Sequence, residues 1–508
     1  MSLLLATTNM LAWPDYVLIA CFLGVNVGIG WWVHRRKRGT GADYFLGGGR
    51  VPPWAAGISW YGTQISSVSF MALPAYAYAK NWLPMMVGPI FTLSGIILAV
   101  CFVGIIRRLN TSTIFAYLER RFDRNVRLVF AGLAVLLSIF GRSSVIMVLP
   151  ALALSAATGM NVYLSIALMG LVTTLYATEG GFEAVVWTDV LQVAMMVAGV
   201  VLIVWFAAAG VDGGLSGIVR EGAQAGKFQF VSWEWNLTEV TVWVMLGYFM
   251  SAVFTTLADQ ALMQRVLAAQ DEHGARRTVI TGSLLALPSN AIFFFVGTAL
   301  FAFYQCNPGR LEAGVSNDSI VGYFVARELP SGVVGLIIAG IFAAAMSTLS
   351  SSLSAVAAIV TSDFAPILKP QWSESRGVAL GRRVTLVSGV FATAMAMWIA
   401  HLGAASLWEQ AMRLLALFGG ALPGAFALGM LTRRANARGV IVGALASISA
   451  TLWVQNYTSV NSFFHAFVSF ATSMAVGYAV SCCRCPPPDR SKLQGLTIWD
   501  LAQPAKTS

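Results

Sequence analysis

Charge is what this chain has least of. Of its 508 residues only 11% are Asp, Glu, Lys or Arg, while 57% are hydrophobic, more apolar surface than a soluble core of this length could hide. Histidine is scarcer still. The four, His34, His273, His401 and His465, fall at or near the ends of apolar runs, which excludes a haem gripped by two intramembrane histidines. No GxxxxGK[ST] segment occurs, so an ATP-driven pump would lack its phosphate loop. No Ser-His-Asp set and no cluster of metal-ligating side chains converges from the runs, which leaves an intramembrane enzyme little to work with. The six cysteines form no disulfide framework: Cys21 and Cys101 lie within apolar runs, Cys306 in a loop, and Cys482, Cys483 and Cys485 where the last run ends. That cluster could carry palmitate or a metal, although most cysteines beside a membrane do neither.

What is present is apolar length. Runs of about 20 apolar residues recur from Tyr16 to Val480, the signature of a polytopic membrane protein. They divide into about thirteen spans: 14–33, 53–78, 82–106, 128–157, 161–178, 182–208, 237–258, 279–304, 333–362, 384–400, 405–431, 439–456 and 463–481. The first run is followed, not preceded, by basic residues (His34 to Arg38), the reverse of a secretory signal, so it is expected to stay as a span with its N-terminus outside. Of the 32 Lys and Arg, 25 then fall in internal segments and five in external loops, leaving Arg142 and Arg413 within spans. This bias favours an external N-terminus and an internal C-terminus, and it explains the net charge of +10 without nucleic acid. The expectation is a single transmembrane transporter domain over 1–485 and a short cytoplasmic tail over 486–508.

Several spans are too polar to be anchors. From Ile337 to Asp363, Ser347, Ser350, Ser351 and Ser354 share one arc about 100° wide at helical spacing, a face of hydroxyls in an apolar helix. A small hard cation would satisfy such oxygens; close packing of helices through small residues is the competing account. Between Trp54 and Ala79, Gly57, Gly62, Thr63, Gln64, Ser66, Ser67, Ser69 and Pro74 predict a helix that unwinds near 62–66, freeing carbonyls for a cation and aiming a half-helix at a solute. Asp189, just inside the sixth span, and Arg142, in the middle of the fourth, are intramembrane charges and so functional candidates, with helix capping the alternative for Asp189. Glu409 and Arg413, four residues apart, read as an intrahelical ion pair.

The segments DYFLGGGRVPPWAAGIS (43–59), GGFEAVVWTDVLQ (180–192), DQALMQR (259–265), IFAAAMSTLSSSLS (341–354) and the glycine-rich GG-P-G with RRAN (419–436), in this order, resemble the sodium/solute symporter family. The resemblance implies an all-α LeuT-type fold of two inverted five-helix repeats, about 53–208 and 237–431, with further helices outside them. It implies a sodium site made by the carbonyls of Gly62, Ile65 and Ala344 with the hydroxyls of Ser347 and Thr348. Within the family the sialic-acid symporters look nearest, and this branch implies a second sodium at Asp189, Ser350 and Ser351 that shares Ser347. It also implies a solute carboxylate on Arg142, with Gln64, Ser66 and Ser69 beside it. The chain departs from that branch at Gln64, where a threonine is usual, and at Pro89, where a glutamine is. It departs from the sodium/glucose cotransporters at Met412.

The function expected is therefore sodium-coupled import of a small organic solute, an anionic sugar or another carboxylate, across the cell membrane, with no enzymatic step and no nucleic-acid partner. A symporter of neutral sugar or polyol, with Arg142 structural, is the alternative within transport, and a membrane sensor on a transporter fold is the alternative outside it.

Overall fold

A computed structural model describes residues 11–36, 40–368, 373–402, 420–483 and 493–500. We number its principal helices α1 (Trp13–Arg36), α2 (Pro53–Gln64), α3 (Ser67–Ala79), α4 (Leu83–Arg107), α5 (Arg124–Ser155), α6 (Val162–Ala209), α7 (Val242–Leu257), α8 (Gln260–Ala268), α9 (Glu272–Cys306), α10 (Val333–Ile367), α11 (Glu374–His401), α12 (Ala421–Leu431), α13 (Ala437–Tyr457) and α14 (Ser462–Cys482). Among the described residues nine of these are long and apolar enough to cross a membrane by themselves. A tenth span forms if α7 and α8, which meet at a 55° bend, count as one.

Length dictates the first fold. At 1.5 Å per residue the 48 residues of α6 would be about 72 Å long, more than twice the thickness of a hydrocarbon core, so the helix has to break. It does so at Gly181, whose φ of 54° and ψ of −155° suit only a residue without a Cβ. Arg50, in the loop before α2, holds this corner by pairing with Glu183 (2.8 Å) and Asp43 (2.5 Å).

Helix α10 is the axis of the molecule. It is buried along 89% of its most apolar stretch, against 17% for the peripheral α14. Helices α1, α6 and α10 pack through one large cluster that includes Phe22, Met196, Val200, Ile337, Ile341, Met346 and Leu349. The first turn of α10 has backbone N–H groups without helical partners, and the protein supplies them from another helix. Asp15 of α1, fully buried, accepts from Gly332 and Gly335 N–H, both at 2.7 Å.

The expected unwinding in the second span is present and narrow. Helix α2 stays regular through Gln64, Ile65 and Ser66 are extended (ψ 128° and 168°), and α3 begins at Ser67. A second break lies where the sequence places the end of a span and an internal segment (259–278). Chain turns at Ala258–Asp259 and continues as α8, whose nine residues are all buried. Hydropathy reads Asp259, Gln260, Gln264 and Arg265 as loop, but their polar groups are met inside the protein. Gln260 binds Ile114 N–H and Ser112 C=O, and Gln264 donates to Phe45 C=O.

Replacing Asp15 by Ala removes Oδ1, the one oxygen that accepts both N–H groups at the start of α10, and is expected to cost about 1–2 kcal/mol, with Asn losing less because it keeps one oxygen. Thermal unfolding in detergent, followed for both variants, checks the order.

Candidate functional site

The break in the second span faces the hydroxyls of α10. Where the helix stops, the carbonyls of Gly62 and Ile65 lose their helical donors and turn to α10. Ser347 Oγ donates to Gly62 O (3.0 Å) and Ala344 O (3.2 Å), while Thr348 Oγ1 donates to Ile65 O (3.2 Å) and Ala344 O (3.4 Å). Five oxygens, three carbonyl and two hydroxyl, thus gather in a fully buried spot without a nitrogen or sulfur among them. Gly62 also lets α6 come close on another side: a Cβ there would lie 2.9 Å from Val193 Cγ2.

Arg142 lies between the two breaks. One arm, Nη1, pairs with Asp259 Oδ2 at 2.7 Å, and the other, Nη2, donates to Thr63 O at 2.8 Å. It thereby joins the end of α2 to the bend between α7 and α8. The ion pair is not sealed. Side-chain exposures of 29% for Arg142 and 26% for Asp259 leave both on a cavity of about 140 Å³, lined also by Ser138, Thr255, Gln260 and Pro423. Asp189, the other intramembrane charge singled out in the sequence, is engaged elsewhere.

Asp189 is fully buried in α6, and its carboxylate accepts from side chains and not from the N–H groups of a helix end. Its Oδ2 accepts from Ser59 Oγ (2.5 Å) and from Arg265 Nη2 (2.9 Å). Arg265, equally buried, also donates to Ser351 Oγ (2.6 Å), Ser59 Oγ (2.9 Å) and Ala261 O (2.5 Å). Of the residues expected around a second sodium, the structure brings Asp189 and Ser351 together on this guanidinium. It turns Ser350 aside to Ser347 O (3.0 Å). The reason is electrostatic: a guanidinium without water needs a carboxylate beside it, and Asp189 provides one. Asp189 Oδ1 has no hydrogen-bond partner among the described residues.

Gln64, Ser66 and Ser69 sit half-buried at the break and the first turn of α3, and their side chains make no hydrogen bond to a described residue. Glu409, Met412, Arg413 and Cys485 lie outside the described residues. Sequence reasoning gave no site role of their own to Arg265, Asp259, Ser59 and Thr63. A signal was present for the first two, since Asp, Gln, Gln and Arg at 259, 260, 264 and 265 flank an apolar run that shows no turn residues of its own.

The sodium:solute symporter family pattern matches residues 44–447. The chain is 34% identical over 471 residues to the sodium/sialic acid symporter NanT of Aliivibrio fischeri, covering 91% of this chain and 92% of that one. It is 35% identical over 467 residues to the sodium/sialic acid symporter SiaT of Proteus mirabilis, covering 91% and 94%. The chain belongs to the sodium:solute symporter family. As a sodium:solute symporter it is a multi-pass membrane transporter and not an enzyme. The structure superposes, with a TM-score of 0.87 and 34% identity over 94% of this chain and 99% of the other, on a substrate-bound, outward-open Na+-coupled sialic acid symporter. Sodium is thus a transported substrate of this family.

In this symporter, Asp189→Asn leaves the buried Arg265 charge uncompensated and is expected to destabilise by about 3–5 kcal/mol, whereas the double change Asp189→Leu with Arg265→Met should cost far less. Thermal unfolding of the single and double variants tests whether the two charges act as a pair. Equal losses in both would show that they do not.

Proposed function

We propose that this chain couples the inward flow of sodium to the import of a carboxylated sugar of the sialic-acid type by alternating access. The architecture we assign is LeuT-type: thirteen spans, N-terminus outside and C-terminus inside, with inverted repeats over about 53–208 and 237–431. Supporting it, the two breaks fall in the first span of each proposed repeat, corresponding positions at which transporters of this kind build their midplane sites.

The observation that carries the reading is the five-oxygen cluster at the first break. Neighbouring oxygens 3.0–3.4 Å apart would, around an octahedral ion, stand about 2.1–2.4 Å from it, a distance suited to a small hard cation. Sodium there would replace the hydroxyl protons that Ser347 and Thr348 now direct at Gly62, Ile65 and Ala344. Removing both hydroxyls, as in Ser347→Ala with Thr348→Ala, should abolish sodium-dependent uptake while leaving the folded yield unchanged. Sodium dependence like that of the wild type in the double variant sinks the assignment.

For a second sodium we assign Asp189, Ser350 and Ser351, with Ser347 shared. The buried, unpartnered Asp189 Oδ1 supports it; Arg265 then keeps Oδ2. With a monoanionic solute, two sodium ions carry one net positive charge inward, worth about 2.3 kcal/mol per 100 mV. Uptake should be electrogenic, and Ser350→Ala should bring the Hill coefficient for sodium from near two toward one. A wild-type coefficient near one counts against the second ion.

Arg142 is assigned to the solute's carboxylate, with Gln64, Ser66 and Ser69 close by. Its planar fork can meet a carboxylate with two parallel hydrogen bonds, which Lys cannot do. Arg142→Lys and Arg142→Gln should both raise the half-saturating concentration of sialic acid, Gln the more, while sodium still stabilises the empty protein against heat. Uptake by Arg142→Gln as good as that of the wild type would exclude the carboxylate contact.

A further inference from the structure

A guanidinium in the membrane cannot wait uncompensated for its ligand. In the structure Arg142 is compensated by the protein itself, and the compensating group has the chemistry expected of the solute, a carboxylate. We propose that Asp259 is a resident stand-in for the solute's carboxylate: it holds Arg142 Nη1 while the site is empty, and the arriving anion displaces it.

Three features carry the proposal, which rests on the assignment of Arg142 to an anionic solute. The Arg142–Asp259 contact is a single hydrogen bond of 2.7 Å, so one side of the fork is taken by a group that an incoming carboxylate can replace. The pair borders a cavity of about 140 Å³ instead of being sealed between helices, so the guanidinium is open to an incoming carboxylate. And Asp259 stands at the 55° bend, where its other oxygen accepts from Ala261 N–H (2.8 Å) and caps α8. A carboxylate released from Arg142 keeps this second partner, which limits the cost of letting go. The arrangement ties occupancy to geometry. While Asp259 holds Arg142, α8 is fastened to α5; once an anion takes the guanidinium, that fastening is gone and the bend can change. Asp259 is thus a positioning residue that sets affinity, and its presence lowers the apparent affinity by the fraction of molecules in which it occupies Arg142.

Asp259→Asn isolates the charge, because Asn caps a helix as well as Asp does. In sodium buffer this variant should bind N-acetylneuraminate more tightly than the wild type, by about tenfold, while Asp259→Glu, which retains the competing charge, should not. Unchanged or weaker binding in a folded Asp259→Asn overturns the exchange. Should that variant not fold, Asp259→Ser, which also caps a helix and lacks the charge, carries the test with two probes. Its affinity for N-acetylneuraminate must rise while that for the methyl ester, which lacks the charge, does not; equal changes overturn the exchange. A solute-free measurement separates this idea from the solute assignment. Without any sugar, Asp259→Asn and Arg142→Gln should each speed hydrogen exchange of the 260–268 amides by several-fold, and the double variant should add little. Unchanged exchange in both overturns the fastening whatever the solute is. If the wild type binds no N-acetylneuraminate, the sialic-acid assignment and the carboxylate exchange fall together, and the exchange rates still decide the fastening.

Discussion

The constraint on which this structure depends is that a charge or a broken helix surrounded by hydrocarbon has to be satisfied by the protein alone. Two arginines, Arg142 and Arg265, sit among the core helices, and each is met by one carboxylate and by oxygens from elements distant in sequence. Arg265 takes Asp189, Ser59 and Ser351; Arg142 takes Asp259 and Thr63. These contacts fix α2, α5, α6, α8 and α10 relative to one another more specifically than apolar packing could, since apolar side chains in lipid gain little by choosing one helix partner over another. The polar interior of this protein is therefore what orders its apolar exterior.

The two arginines differ in one respect that matters for function. Arg265 is fully buried, and its pair behaves as structure: removal of either partner strands the other. Arg142 borders a cavity, so its pair can be exchanged. One kind of ion pair, at two depths, serves as a rivet in one place and a replaceable contact in the other. The distinction follows from exposure and not from residue type, which is why both look alike on paper.

Much of this was legible in the sequence because hydropathy, helical spacing and charge placement are local. The hydroxyl face of α10, the break within 62–66 and the intramembrane status of Asp189 and Arg142 could all be read from single stretches. Pairing could not. Arg265 and Asp189 are 76 positions apart, and Arg142 and Asp259 117 apart; nothing in either local sequence says which carboxylate a guanidinium will meet. The second break was hidden for a related reason. A polar stretch after an apolar run looks like a loop unless one knows that Gln260, Gln264 and Arg265 each have a buried partner waiting.

The geometry also suggests why solute and ion sites would respond to one another in a chain built this way. Thr63 stands at the junction: its carbonyl accepts from Arg142, and its hydroxyl lies 2.9 Å from Ser351 Oγ, which in turn accepts from Arg265. One residue earlier the Gly62 carbonyl, and two residues later that of Ile65, belong to the oxygen cluster against Ser347 and Thr348. Contiguity by itself is not coupling; a coupled element must have two arrangements whose balance both sites bias. The short segment from Gly62 to Ser66 is where such an element would lie, because an extended pair of residues between two helices can alter its angle without opening a helical ladder. A cation drawing the Gly62 and Ile65 carbonyls toward α10 and an anion reorienting Arg142 beneath Thr63 would act on the same few dihedral angles, so that each ligand changes what the other encounters.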